Sequence, residues 1–141
     1  MLPLISRIMI RSAFIYLLLG VTLGAMMMIQ KAYPFWSGIW MFREVHIEML
    51  LFGWIIQFTL GTAYWMLPKL LEAPIRGNEL LAWLMAISLN FGILVMIVSP
   101  FVSVIPFFSA SGRVLQLIAI LLFVTLHWRR VVSYRALEEK A

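Results

Sequence analysis

The chain has 141 residues, of which 64% are hydrophobic and 12% charged, with a mean hydropathy of +1.01 and a formal net charge of +5. An ordinary soluble domain is about half apolar and about a quarter charged, so this balance excludes a soluble fold and places the chain in a bilayer. Cysteine is absent, which excludes disulfides, thiolate zinc sites and cysteine nucleophiles; the basic residues are scattered at the ends of apolar segments, which reads as a topology signal and not as a nucleic-acid surface.

Four apolar segments, each long enough for about 30 Å of hydrocarbon, predict an all-α, integral membrane four-helix bundle forming one domain, 1–141, with helices at about 12–30, 44–67, 79–99 and 106–128. No alternation of the kind found in barrel strands is present. Arg7 and Arg11 precede the first helix as they would in a signal peptide, but "GAMMMIQKAYPFW" offers no small-x-small cleavage site, so the helix is expected to be retained. Gly20 and Gly24 on it form a GxxxG-type contact surface, and Met26, Met27 and Met28 lie near its end. The following loop holds Tyr33, Phe35, Trp36 and Trp40, an aromatic group suited to the headgroup layer.

The second helix, "REVHIEMLLFGWIIQFTLGTAYWMLP", is unusual in carrying Glu44, His46 and Glu48 in its first turns. At about 100° per residue, His46, Met49, Leu50, Gly53, Gln57, Leu60, Gly61 and Tyr64 fall on one stripe, with both glycines and the amide on it, which marks a protein-facing side. His46 has two readings. One is an interfacial histidine bonded to a carbonyl or to Glu48. The other is a metal ligand, most naturally to haem iron, because an imidazole beside glycine and aromatic residues accommodates a flat macrocycle, with Glu48 as an orienting partner and Glu44 paired to Arg43.

Before the third helix, Asn78 followed by Glu79 is an N-cap signal. In the fourth, Arg113 follows "SASG" close to the hydrocarbon and needs an anionic partner, such as Glu48 or a carboxylated ligand. His127, in "LHWRR", reads as an interfacial anchor. With the N-terminus inside, Arg7, Arg11, Lys69, Arg76, Arg129, Arg130, Arg135 and Lys140 face the cytoplasm against Lys31, Arg43 and Arg113 outside, so the expected orientation is N-in, C-in. His46 and His127 then lie a bilayer apart and cannot share one metal within a chain.

"HIEMLLFGWIIQFTLGTAYWMLP", with "RGNELLAW" and "GRVLQLIAI", resembles the short four-helix membrane proteins related to subunit I of the haem–copper oxidases. That subunit is built on a threefold pseudo-repeat of four helices, with histidines at the outer ends of second helices binding haem or copper, and this chain matches one repeat. The resemblance implies a membrane protein, expected in a prokaryotic inner membrane, that binds b-type haem through His46 and acts in electron transfer or haem handling. Arg113 and Arg43 are expected to pair with the propionates and Gly53 and Met49 to line the site. It further implies a homo-oligomer, dimer or trimer, joined through the second helix and supplying a second axial ligand from another protomer or from Met26–Met28, with respiratory-chain subunits as further partners. The tandem histidines for copper and the His-Tyr pair of the oxygen-reducing centre are missing, so an enzyme is not expected. Two alternatives come from other classes: a non-redox accessory or assembly subunit of a respiratory complex, and a copper-binding protein using His46, Glu48 and methionines.

Overall fold

The computed structural model describes residues 2–67, 69, 76–102 and 107–138, with the backbone alone at 129 and 132–138. Among the described residues it is all-helical, with no strand, and four helices are long and apolar enough to cross a membrane.

The first span, Leu4–Ala32, begins eight residues before the expected start because the helix continues past the apolar segment through Arg7 and Arg11, whose side chains are exposed. A helical backbone satisfies its own hydrogen bonds, so it can extend beyond the hydrocarbon with its cations outside. Its far end is closed by buried Gln30, whose Oε1 accepts from the backbone N–H of Phe35 at 2.8 Å and of Trp36 at 2.7 Å. This bond turns the chain into the short 3₁₀ segment Ser37–Phe42, anchored by buried Ile39 while Trp36 and Trp40 remain half-exposed.

The second span runs continuously from 43 to 66 but changes pitch: Arg43–Glu48 is α-helical, Met49–Ile56 is π-helical, and Gln57–Met66 is α-helical again. It stops at Leu67, which is extended (φ −62°, ψ 141°) as the residue before a proline prefers. The third span, Glu79–Val98, is capped by Asn78, whose Oδ1 accepts from the N–H of Leu80 at 2.9 Å, as the sequence predicts. Gly77 before it has φ +92°, a left-handed conformation that glycine adopts without strain. The fourth, Phe108–Glu138, continues a further ten residues beyond the expected end at 128; its expected start at 106 lies outside the described residues.

Successive contacts fix the packing. Gly24 against His46, Gly20 against Met49 and Leu50, Gly53 against Tyr16, and Gly61 against Met9 run in opposite directions along the first two spans, which therefore form an antiparallel hairpin. The last two form another, crossing where Gly92 and Gly112 meet: a Cβ on Gly92 would lie 2.9 Å from the Gly112 carbonyl oxygen. Small residues let backbones approach, which is how helices gain dispersion contact in lipid, where the hydrophobic effect does not separate a neighbouring helix from acyl chains. Between the hairpins lies a core of Met9, Leu60, Tyr64, Met85, Leu89 and Ile93. Phe14, Leu18, Ile87, Phe91, Leu117 and Leu121 remain exposed on the outside, an apolar coat that suits lipid.

Polar side chains inside the bundle bond to one another and to the backbone at mid-depth, although Gln57 Oε1 has no partner among the described residues. Gln57, fully buried, donates to the Met9 carbonyl at 3.2 Å and to Ser12 Oγ, and Tyr16 donates to Asn90 Oδ1 at 3.5 Å. One end of the bundle carries the loops within each hairpin and is called the hairpin end below. The other carries the termini and the connection between hairpins and is called the terminal end.

Candidate functional site

At the hairpin end the His46 imidazole lies against the backbone of Gly24: a Cβ there would be 2.6 Å from His46 Cε1. Nδ1 is 2.7 Å from the Gly20 carbonyl oxygen. A carbonyl only accepts, so Nδ1 carries the hydrogen and donates it; in the neutral ring the lone pair is then on Nε2. This is the bond that metal-ligating histidines commonly use to fix their ring. Both glycines of the GxxxG pair in the first span therefore serve the imidazole, Gly24 by making room for it and Gly20 by supplying its acceptor.

Glu48 does not assist His46. Residues two apart on a helix point in nearly opposite directions, and Glu48 turns to the fourth span, where only 3% of its side chain is exposed. Its Oε2 lies 2.8 Å from Arg113 Nη1 and its Oε1 accepts from Gln116 Nε2, while the same Nη1 donates to Gln116 Oε1 at 2.8 Å. The guanidinium carbon sits 5.0 Å from the centre of the Phe52 ring, within cation–π range. Arg113 thus has the carboxylate partner that its position near lipid demands. The triangle closes at the start of the π-helical segment, which places Phe52 under the guanidinium. Gln116 is not among the residues that sequence reasoning selects, although an amide one turn after Arg113 is an available signal; Phe52 looks like any other aromatic in an apolar helix.

The other predicted residues divide clearly. Met49 is buried against Gly20, and Gly53 lies beneath Tyr16, where a Cβ would meet Cγ at 2.6 Å. The stripe predicted to face protein does so, but the protein it faces is the first span of the same chain. Arg43 is exposed and makes no ion pair, among the described residues, with Glu44, its immediate neighbour in sequence, which points elsewhere. Met27 is buried, Met26 half-buried and Met28 exposed. Among the described residues no group of three His, Asp or Glu side chains converges as a metal site.

The terminal end holds a second polar cluster, which the sequence pattern presents as surface. Arg130 is 1% exposed; it donates to the carbonyl oxygens of Leu67 and, at 3.3 Å, of Tyr64, and lies 5.8 Å over the Tyr64 ring. It therefore caps the end of the second span, where a cation meets the negative end of the helix dipole. An arginine keeps its charge at neutral pH even when buried. His127 is no interfacial anchor: it is 4% exposed, 4.1 Å from the centre of Phe123 and edge-on to Tyr64. As expected, the two histidines lie at opposite ends, separated by about 27 Å at the usual helical rise, counting from His46 to Tyr64.

Comparison with protein-family models, with curated proteins and with solved structures yields no match.

Proposed function

We propose that the chain is an integral membrane protein that binds b-type haem through His46 Nε2 and serves in electron transfer or haem handling, as a single-repeat relative of haem–copper oxidase subunit I. The observation that carries this reading is the clamp on His46, whose Nδ1–H is bound to Gly20 O and whose ring rests on Gly24. An imidazole held in one tautomer, with its second nitrogen unprotonated, is prepared to ligate a metal. When bound, haem supplies one-electron redox chemistry at its iron.

The residues fit the group in part. Both contacts of Arg113 run through Nη1, and the side chain is 49% exposed, so Nε and Nη2 remain able to hold a propionate. Gly53 and Met49 are occupied by the first span and hold nothing further. A second axial ligand comes from Met26–Met28 or from another chain of a dimer or trimer. Because the glycine stripe is covered, that chain approaches along the exposed face of Ile47, Leu51 and Ile55. The N-in, C-in orientation belongs to the same proposal and rests on the eight-to-three distribution of Lys and Arg.

The test is spectroscopic. Protein made with ample haem is expected to be red, with a reducible b-type spectrum and about one haem per two chains if two His46 side chains share it. His46→Ala loses the haem and His127→Ala keeps it. Colourless protein, or a His46→Ala variant with its full spectrum, overturns the reading. The accessory-subunit alternative is favoured by one observation, that Arg113 already has a carboxylate partner in Glu48 without any ligand.

A further inference from the structure

A cavity of about 500 Å³ opens at the hairpin end between the second, third and fourth spans, lined by Glu44, Ile47, Met96, Ser99, Ser109 and Arg113, with Ala110. His46 does not line it. Ile47 and Met96 make its wall apolar, while Glu44, Arg113 and the two serines bring charge and hydroxyl groups to it.

Arg113 is a built element of this cavity. Glu48 and Gln116, 3% and 1% exposed, hold Nη1 from behind, and Phe52 lies against the guanidinium face. Nε and Nη2 donate to no described residue, so a pre-oriented pair of donors is left for an acceptor from outside. Glu44 supplies the opposite sign: its side chain is exposed and forms no ion pair with any described residue.

The charges decide the ligand class. Arg113 and Glu44 are the two charged residues on the lining, and Arg113 is already shared with Glu48, so a purely anionic molecule leaves Glu44 facing a like charge. A zwitterion does not, if its anionic oxygens reach Arg113 and its cation reaches Glu44. We infer that this cavity binds the headgroup of a phosphatidylethanolamine-type lipid, its phosphate on Arg113, its primary ammonium on Glu44 and the serine oxygens, and its acyl chains continuing over Ile47 and Met96. A quaternary ammonium has no hydrogen to donate to Glu44, and a glycerol headgroup carries no cation, so choline and glycerol lipids bind less well. Depth agrees: Arg113 lies five residues into the fourth helix, about 8 Å from its start, where helix ends meet the headgroup layer.

The test is native mass spectrometry of the full chain, released from bilayers containing equal amounts of ethanolamine, choline and glycerol phospholipids with identical acyl chains. Bound ethanolamine lipid is expected to exceed each of the others by about tenfold, the worth of one charge-assisted hydrogen bond. Glu44→Gln brings the bound composition to the bulk ratio. Ser109→Trp, which fills the cavity from an exposed position remote from Glu48 and Gln116, removes the bound lipid. Displacement by soluble phosphoethanolamine would assign the site to the free headgroup instead of the lipid and overturn the proposal, as would bulk lipid composition on the wild type or an unchanged preference in Glu44→Gln. A haem propionate and a lipid phosphate would draw on the same Nε and Nη2 of Arg113, so the measurement is repeated on His46→Ala, which carries no haem and is expected to bind the ethanolamine lipid at least as well as the wild type; absence of bound lipid there overturns the proposal.

Discussion

The unequal exposure of the two partners in the Glu48–Arg113 pair makes an asymmetric prediction. Removing Arg113 strands a carboxylate that is 3% exposed, whereas removing the charge of Glu48 releases a guanidinium that is 49% exposed and can turn to water. Breaking a buried pair by deleting one partner costs about 3–5 kcal/mol, and the partial exposure of Arg113 places Arg113→Gln near the lower limit, about 3 kcal/mol. Glu48→Gln keeps the side-chain volume and an oxygen for Gln116, and loses only a half-solvated pair, about 1 kcal/mol. The double variant should fall near the Glu48→Gln value, leaving a coupling of about 3 kcal/mol between the sites. Unfolding by increasing SDS in mixed micelles, followed by far-UV circular dichroism at constant total detergent, measures all three. A Glu48→Gln variant as destabilised as Arg113→Gln, or a double variant equal to the sum of the singles, would refute the reasoning.

Gly53→Leu drives a side chain into the Tyr16 ring and should lower stability by about 1–3 kcal/mol without changing particle size in detergent; a shift to smaller particles would instead make the glycine stripe an interface between chains. Arg130→Met loses two charged hydrogen bonds to the end of the second span, about 2–3 kcal/mol in all, and Arg130→Lys, with a single ammonium in place of the planar fork, should recover little of it; limited proteolysis after Leu67 follows the loss. Single cysteines at Ser37 and Ser133 should react with an impermeant reagent in intact cells at Ser37 alone, and reaction at Ser133 alone reverses the orientation.

The sequence by itself determined what depends on one helix at a time. A run of apolar residues of bilayer length defines a span, Asn78 before Glu79 announces a cap, and glycines recurring with an amide on one side of the second helix mark its buried face, because each of these is local or periodic. It also determined that Arg113 needs a carboxylate, since a cation near hydrocarbon must be neutralised. Glu48 was among the few acidic side chains at that depth.

The tertiary structure alone decided which polar groups meet. Phase within a helix is legible from spacing, but rotation of one helix against another is set by where small residues permit close approach. Gly24 makes room for His46, whose ring hydrogen goes to Gly20, while the crossing at Gly92 and Gly112 brings Gln116 to Glu48, 68 residues away in sequence. The same rotation separated Glu48 from the histidine it was expected to orient and covered Gly53 with Tyr16. At the terminal end Arg130 and His127 look like interfacial residues because they stand in a basic, aromatic run. They are buried because the helix continues past its apolar segment and turns them towards Tyr64 and the free carbonyls at the end of the second span. His127 bonds to the Phe123 carbonyl one turn back in its own helix, but the acceptors that make the burial of Arg130 tolerable belong to a neighbouring helix, and no pattern within the fourth helix encodes them.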